Sequence, residues 1–107
     1  MKTKEAVGAL SALAQEARLE IFRGLVRAGL EGMSAGSIAK ARKIPAPTLS
    51  FHLKELKNAG IVQCRREGRS LIYSPDFDSM KSLLAFLTEN CCQGADRPPR
   101  RARVAGC

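Results

Sequence analysis

Long hydrophobic runs are missing from these 107 residues. No apolar stretch approaches the roughly 18 residues that a membrane-spanning helix requires. The N-terminus also has no apolar core of the signal-peptide kind. Both absences predict a cytoplasmic chain, in a compartment where thiols stay reduced. Histidine is nearly absent: His52 is the single one, with no carboxylate or cysteine partner beside it in sequence. Nucleophile–base motifs, phosphate-binding glycine loops, paired acid constellations and internal repeats are missing too, so no enzymatic role and no organic cofactor are expected. Acidic residues are scarce, 10 against 18 Lys and Arg, which leaves a formal net charge of +8. A small chain with that balance suits a polyanionic partner, because neutralising phosphates releases condensed counterions. Part of the excess lies in the tail, at Arg97, Arg100, Arg101 and Arg103. The length suits one domain with a modest core.

What is present is organised around residues 44–62. Leu49, Leu53 and Leu56 recur at helical spacing and can bury one face. Thr48, Ser50, Phe51, His52, Lys54 and Lys57 form a polar and cationic face beside them. Pro47 suits a first helical turn, where its missing N–H costs nothing, and Gly60 can take the left-handed cap. A shorter helix, Ser34 to Ala41, precedes it with Ser34 as N-cap and Ile38 and Ala41 pointing inward. Two helices joined by a tight turn have the form of a helix-turn-helix, whose second helix enters a DNA major groove. The alternative for this stretch alone is an ordinary core helix with a solvated charged face.

The flanking segments add to this. Residues 3–14 read as a helix with Ala6, Val7, Leu10 and Leu13 on one side. Glu16 to Ala28 reads as a second, burying Leu19, Phe22, Leu25 and Val26 while Arg18, Glu20, Arg23 and Arg27 face water. Ile61–Arg66 and Arg69–Ser74 are strand-like runs either side of Glu67-Gly68, which predicts a β-hairpin. Its tip carries Arg65, Arg66 and Arg69, a cationic finger beside the central helix. The fold class expected is therefore mainly α with a β-hairpin wing, a winged helix-turn-helix. Asp76 to Asn90 returns to helix with Phe77, Met80, Leu83, Leu84 and Leu87 as an apolar stripe. So small a domain has little core left for it. Together with the first helix it can form a homodimer contact, although packing wholly inside one subunit stays open. From Gly94 the composition turns to proline and arginine, so the domain is expected over residues 1–93 and a flexible basic tail over 94–107.

Ala17–Phe22, Leu49–Leu56, Ala59–Val62, the run Arg66-Glu67-Gly68-Arg69 and Tyr73 resemble the ArsR/SmtB family of metalloid- and metal-responsive repressors, over about residues 5–93. The resemblance implies a homodimer that sits on double-stranded operator DNA and leaves when an inducer binds. By position it places Thr48, Ser50, Phe51 and His52 at the major groove, with Arg66 and Arg69 near the backbone or minor groove. Two sites usual in the family are missing. The helix before the central one has no Cys-x-Cys pair, and the last helix offers only acids such as Asp76, Asp78 and Glu89 where zinc sensors add histidine. Glu89–Gly94 instead looks like the subset of arsenical repressors whose thiols lie at the end of the last helix.

The four cysteines are Cys64, Cys91, Cys92 and Cys107. Thiolate is a soft ligand that favours thiophilic ions over magnesium, calcium or manganese. Trivalent arsenic and antimony prefer three sulfurs, whereas a monomethyl arsenical needs two. Cys91, Cys92 and Cys107 are thus the expected inducer ligands, for arsenite, antimonite or methylarsenite. Cys64 is another candidate for the third place, and a two-sulfur site or a pair of incidental exposed thiols stays open. Consecutive residues on a helix diverge by about 100°, so capture of one ion by Cys91 and Cys92 is expected to unwind the helix end. His52 is open between a place on the DNA surface and that of a satisfied helix histidine. Two other functions fit the same residues: a redox-sensing repressor in which Cys91 or Cys92 pairs with Cys107 or the other subunit, and a metalloid carrier without operator specificity.

Overall fold

The computed structural model describes residues 1–93. The expected tail at 94–107, and Cys107 with it, lies outside the described residues. The chain runs α1 (Thr3–Leu13), α2 (Glu16–Ala28), a 3₁₀ turn (Gly29–Glu31), β1 (Met33–Ser34), α3 (Ala35–Arg42), α4 (Ala46–Asn58), β2 (Val62–Glu67), β3 (Ser70–Pro75) and α5 (Phe77–Leu87). This is the expected winged helix-turn-helix, mainly α with a hairpin. No helix among the described residues is long and apolar enough to cross a membrane.

Local chemistry sets most boundaries. Ser34 Oγ accepts from Ser37 N at 3.1 Å and caps α3, as its sequence position suggested. The turn into α4 is made by Lys43, which adopts a left-handed φ of 56°; the amide of Ile44 closes on Ala39 O at 3.1 Å. Pro45 caps α4 and Pro47 sits in its first turn. Gly60, at φ 82°, releases the chain from α4 into β2. The hairpin turn falls on Gly68-Arg69, one residue later than the sequence suggested, because Glu67 still pairs with Ser70. Positive φ at its first position is the place where a tight hairpin demands glycine. The sheet has a third, two-residue strand that the sequence pattern did not suggest, in the order β1-β3-β2, with Met33 opposite Tyr73.

The core gathers Ile21, Phe22 and Leu25 of α2, Ile38 of α3, Leu49, Leu53 and Leu56 of α4, Ile61, Val62, and Leu83 of α5. Three expectations are corrected. The buried face of α1 is Ala6, Ala9 and Ala12, while Val7 and Leu10 point outward. Alanine's small side chain lets the helix approach closely, so the smaller residues and not the greasier ones face the core. In α2, Ile21 takes the buried place expected of Leu19, which is exposed. Ala41 lies outside; Ile38 is the buried anchor of α3, with Ala35 and Ala39 packed against the core beside it. The helix α5 is shorter than expected. Leu83 is buried and Met80 packs on the core, but Leu84 and Leu87 are 57% and 54% exposed. α1 and α5 lie against each other, so two neighbouring helices each leave apolar side chains uncovered.

Gly32 is the tightest backbone position. Its φ is 73°, and an added Cβ would lie 2.5 Å from Tyr73 O and 2.9 Å from Ile72 Cγ2. Gly60 has a similar φ of 82° but open space around it. Gly32→Ala should therefore lower stability by more than Gly60→Ala, the latter carrying only the backbone strain of about 1–2 kcal/mol. Urea unfolding of the two variants checks the order, and equal losses would contradict the clash.

Candidate nucleic-acid interface and thiol site

Burying Leu49, Leu53 and Leu56 rotates α4 so that Thr48, Ser50, Phe51 and Lys54 share an exposed face. His52 is not on that face. It is only 7% exposed, and its Nδ1 accepts from Arg18 Nε at 3.3 Å. Of the two places open to it, the inward one is correct, and His52 does not reach the outer surface of α4. It lies one helical turn before Leu56, about 40° to the side of the leucine stripe, where the packing of α2 still covers it.

Arg18 is the residue the sequence reading missed. It was grouped with the water-facing side of α2, yet it is half-buried and bridges to α4 across 34 positions of sequence. Beyond His52, its guanidinium carbon lies 5.8 Å from the centre of the Phe51 ring, within cation–π reach. No local signal in the sequence distinguishes Arg18 from Arg23, which forms only an exposed pair with Glu20 at 3.7 Å.

On the wing, Arg66 and Arg69 are exposed. Arg65 has a different role from the one expected. Its Nε–H donates to Glu67 Oε2 at 2.8 Å, and its two terminal nitrogens donate to Leu30 O at 3.3 Å and Glu31 O at 2.8 Å. A guanidinium so engaged braces the wing against the 3₁₀ turn instead of projecting as a free cation.

The thiol site departs from expectation in its backbone. α5 ends at Leu87, where Thr88 Oγ1 donates to Leu84 O at 2.9 Å and closes the helix. Cys91 and Cys92 therefore sit in the turns that follow, with Asn90 and Cys92 at φ 58° and 65°. Their sulfurs are 3.1 Å apart and exposed. The divergence of about 100° that a regular helix would impose does not apply, and no unwinding is needed to bring the sulfurs together. The Cys92 thiol is pushed above its ordinary range, first by its hydrogen bond to Cys91 and then by the charge of that neighbour.

Cys64 is half-buried on β2, opposite Tyr73. It helps raise the Tyr73 phenol, whose burial contributes more. Among the described residues, no group of three or more His, Cys, Asp and Glu is placed to hold a metal ion. The pair Cys91–Cys92 is thus a two-sulfur arrangement as far as those residues go.

Residues 13–65 match the model of a helix-turn-helix domain family. An HTH-type transcriptional regulator of Methanocaldococcus jannaschii, MJ1325, is 34% identical over 88 residues, which cover 82% of this chain and 97% of that protein. The HTH-type transcriptional regulator KmtR of Mycobacterium tuberculosis is 31% identical over 74 residues; the match takes in 69% of this chain but only 57% of KmtR. Among solved structures, an ArsR-like transcriptional regulator from Rhodococcus sp. RHA1 superposes with a TM-score of 0.70 at 26% identity, over 78% of this chain and 76% of that one. The homodimeric winged helix-turn-helix DNA-binding domain Mb0332 of Mycobacterium bovis gives 0.65 at 25% identity, over 90% and 89%. With relatives of this kind along nearly its whole described length, the chain belongs to the helix-turn-helix transcriptional regulators of the ArsR/SmtB-like winged-helix type.

Proposed function

We propose that this regulator is a homodimeric repressor that releases operator DNA when a trivalent arsenic species, or antimonite, is captured by Cys91 and Cys92. The observation that carries the reading is the exposed sulfur pair, 3.1 Å apart, four and five residues beyond Leu87. Each thiol loses its proton as an arsenic-bound hydroxide leaves as water, so two As–S bonds form without any change of oxidation state. Two sulfurs satisfy methylarsenite. Arsenite and antimonite need a third, for which Cys107 remains the proposed ligand. The uncovered side chains of α1 and α5, Val7, Leu10, Leu84 and Leu87, supply an apolar face for a second copy. Homodimerisation of the M. bovis relative supports that assignment. The thiol turn follows directly on this face, so an ion held there, together with the third ligand it draws in, would alter how α5 meets its partner. Coupling of about 1–3 kcal/mol between two such sites is typical, and it acts in both directions.

Contact with DNA falls to Thr48, Ser50, Phe51 and Lys54 on α4 and to Arg66 and Arg69 on the wing. A second reading is favoured by the same sulfur separation: oxidation of the adjacent thiols to a disulfide, which would make the regulator a redox sensor.

Duplexes selected from a random pool provide the operator for a band-shift titration under reducing conditions. Methylarsenite or arsenite should release the protein, and Cys91→Ser or Cys92→Ser should bind DNA normally but resist release by at least tenfold in inducer concentration. Release by peroxide alone would favour the redox reading and sink the arsenical one. Arg69→Ala should weaken binding to all sequences alike and reduce the slope of log affinity against log salt by about 0.9. An unchanged slope would remove Arg69 from the phosphate contacts. Because Cys91 raises the Cys92 thiol, and thiolate is the nucleophile, Cys91→Ser should speed alkylation of Cys92 at pH 7–8. A slower or equal rate, measured with iodoacetamide and peptide mass mapping, would contradict the coupling.

A further inference from the structure

Phe51 is the one large apolar side chain on the outer face of α4, and it is 54% exposed. Around it stand the small or polar residues Thr48, Ser50 and Lys54. An exposed aromatic ring on a short helix usually costs solubility and offers nothing to a phosphate. The ring is nevertheless held in place from behind. Arg18 comes from α2, anchors its Nε–H on the buried His52 at 3.3 Å, and sets its guanidinium carbon 5.8 Å from the ring centre. Such an arrangement limits the rotamers of Phe51 before any partner arrives, which lowers the ordering cost of binding.

We infer that Phe51 reads the 5-methyl group of a thymine in the major groove, and that Arg18 is a positioning residue that aims the ring without touching DNA. The inference rests on the reading that α4 enters the major groove. Chemistry narrows the occupant. The major groove presents donors and acceptors at every base pair, but only thymine presents an apolar group, its methyl. A phenyl ring can make no hydrogen bond to the others, whereas burying one methyl is worth about 0.8 kcal/mol, or about four-fold in affinity. Thr48, Ser50 and Lys54 remain for hydrogen bonds on either side.

The test is uracil interference on the full chain. Duplexes selected by the protein are remade with deoxyuridine replacing thymine at random positions, and bound and free fractions are compared. For the unaltered protein, loss of the contacted thymine methyl from one half-site should lower affinity about four-fold. Phe51→Ala should be indifferent to that methyl while keeping the remaining footprint. Arg18→Ala should weaken the discrimination without changing the salt slope. If that variant does not fold, as judged by its thermal transition, Arg18→Lys serves in its place, since lysine keeps the charge but lacks the fork that reaches both His52 and Phe51. Uracil indifference in the unaltered protein, or equal sensitivity in Phe51→Ala, overturns the methyl contact. A reduced salt slope in the Arg18 variant makes Arg18 a phosphate contact and overturns its positioning role. Failure to select any duplex overturns the premise that α4 meets DNA, and the proposal with it.

Discussion

A helix of 13 residues that buries one stripe has only one remaining face to show, and the burial of Leu49, Leu53 and Leu56 decides which face α4 shows. All three are almost completely enclosed, so truncating any one to alanine would cost on the order of 2–5 kcal/mol. That is a large part of the stability of a small domain. The rotational setting of α4 is consequently not adjustable at low cost. Everything on the outer side, from Thr48 to Lys54, inherits its direction from packing beneath it. The same constraint draws His52 inward, and a buried imidazole needs a hydrogen-bond partner. Arg18 supplies it, which ties the second helix of the chain to the surface of the fourth.

Much of this architecture could be read from residue order. The boundaries of α2, the Ser34 cap, Pro47 in the first turn of α4 and the glycine after that helix all act locally, within one or two turns of the chain. The failures share a different character. Val7 and Leu10 are more hydrophobic than Ala6 and Ala9, so a pattern based on hydrophobicity turns α1 the wrong way. Close approach of backbones selects the smaller residues, and no property of α1 alone announces it. Arg18 and Arg65 resemble surface cations until residues 34 or 35 positions away are brought beside them. Cys91 and Cys92 continue an apolar helical pattern, but the helix ends at Leu87, where the Thr88 hydroxyl also bonds Leu84 O, before they are reached. Long-range contacts and side-chain competition for backbone groups are the terms that a linear reading does not contain.

Two sets of groups with different chemistry thus occupy different parts of one small fold. Cationic and hydrogen-bonding side chains are gathered on α4 and the wing, where a polyanion would be met. The two exposed thiols stand apart, in the turns after α5, adjoining uncovered apolar side chains. Communication between them need not pass through a chain of contacts inside one subunit. It can act by changing how two copies are joined, and so the distance between their α4 helices.

The bracing of Arg65 has its own mechanical meaning. With one guanidinium joining Glu67 on the wing to two carbonyls of the 3₁₀ turn, the hairpin has no hinge of its own at that end. A tilt of the hairpin that kept these contacts would carry the 3₁₀ turn with it. The wing and the turn after α2 are therefore held to one another by a single side chain, so their relative placement depends on Arg65 as much as on the strands themselves.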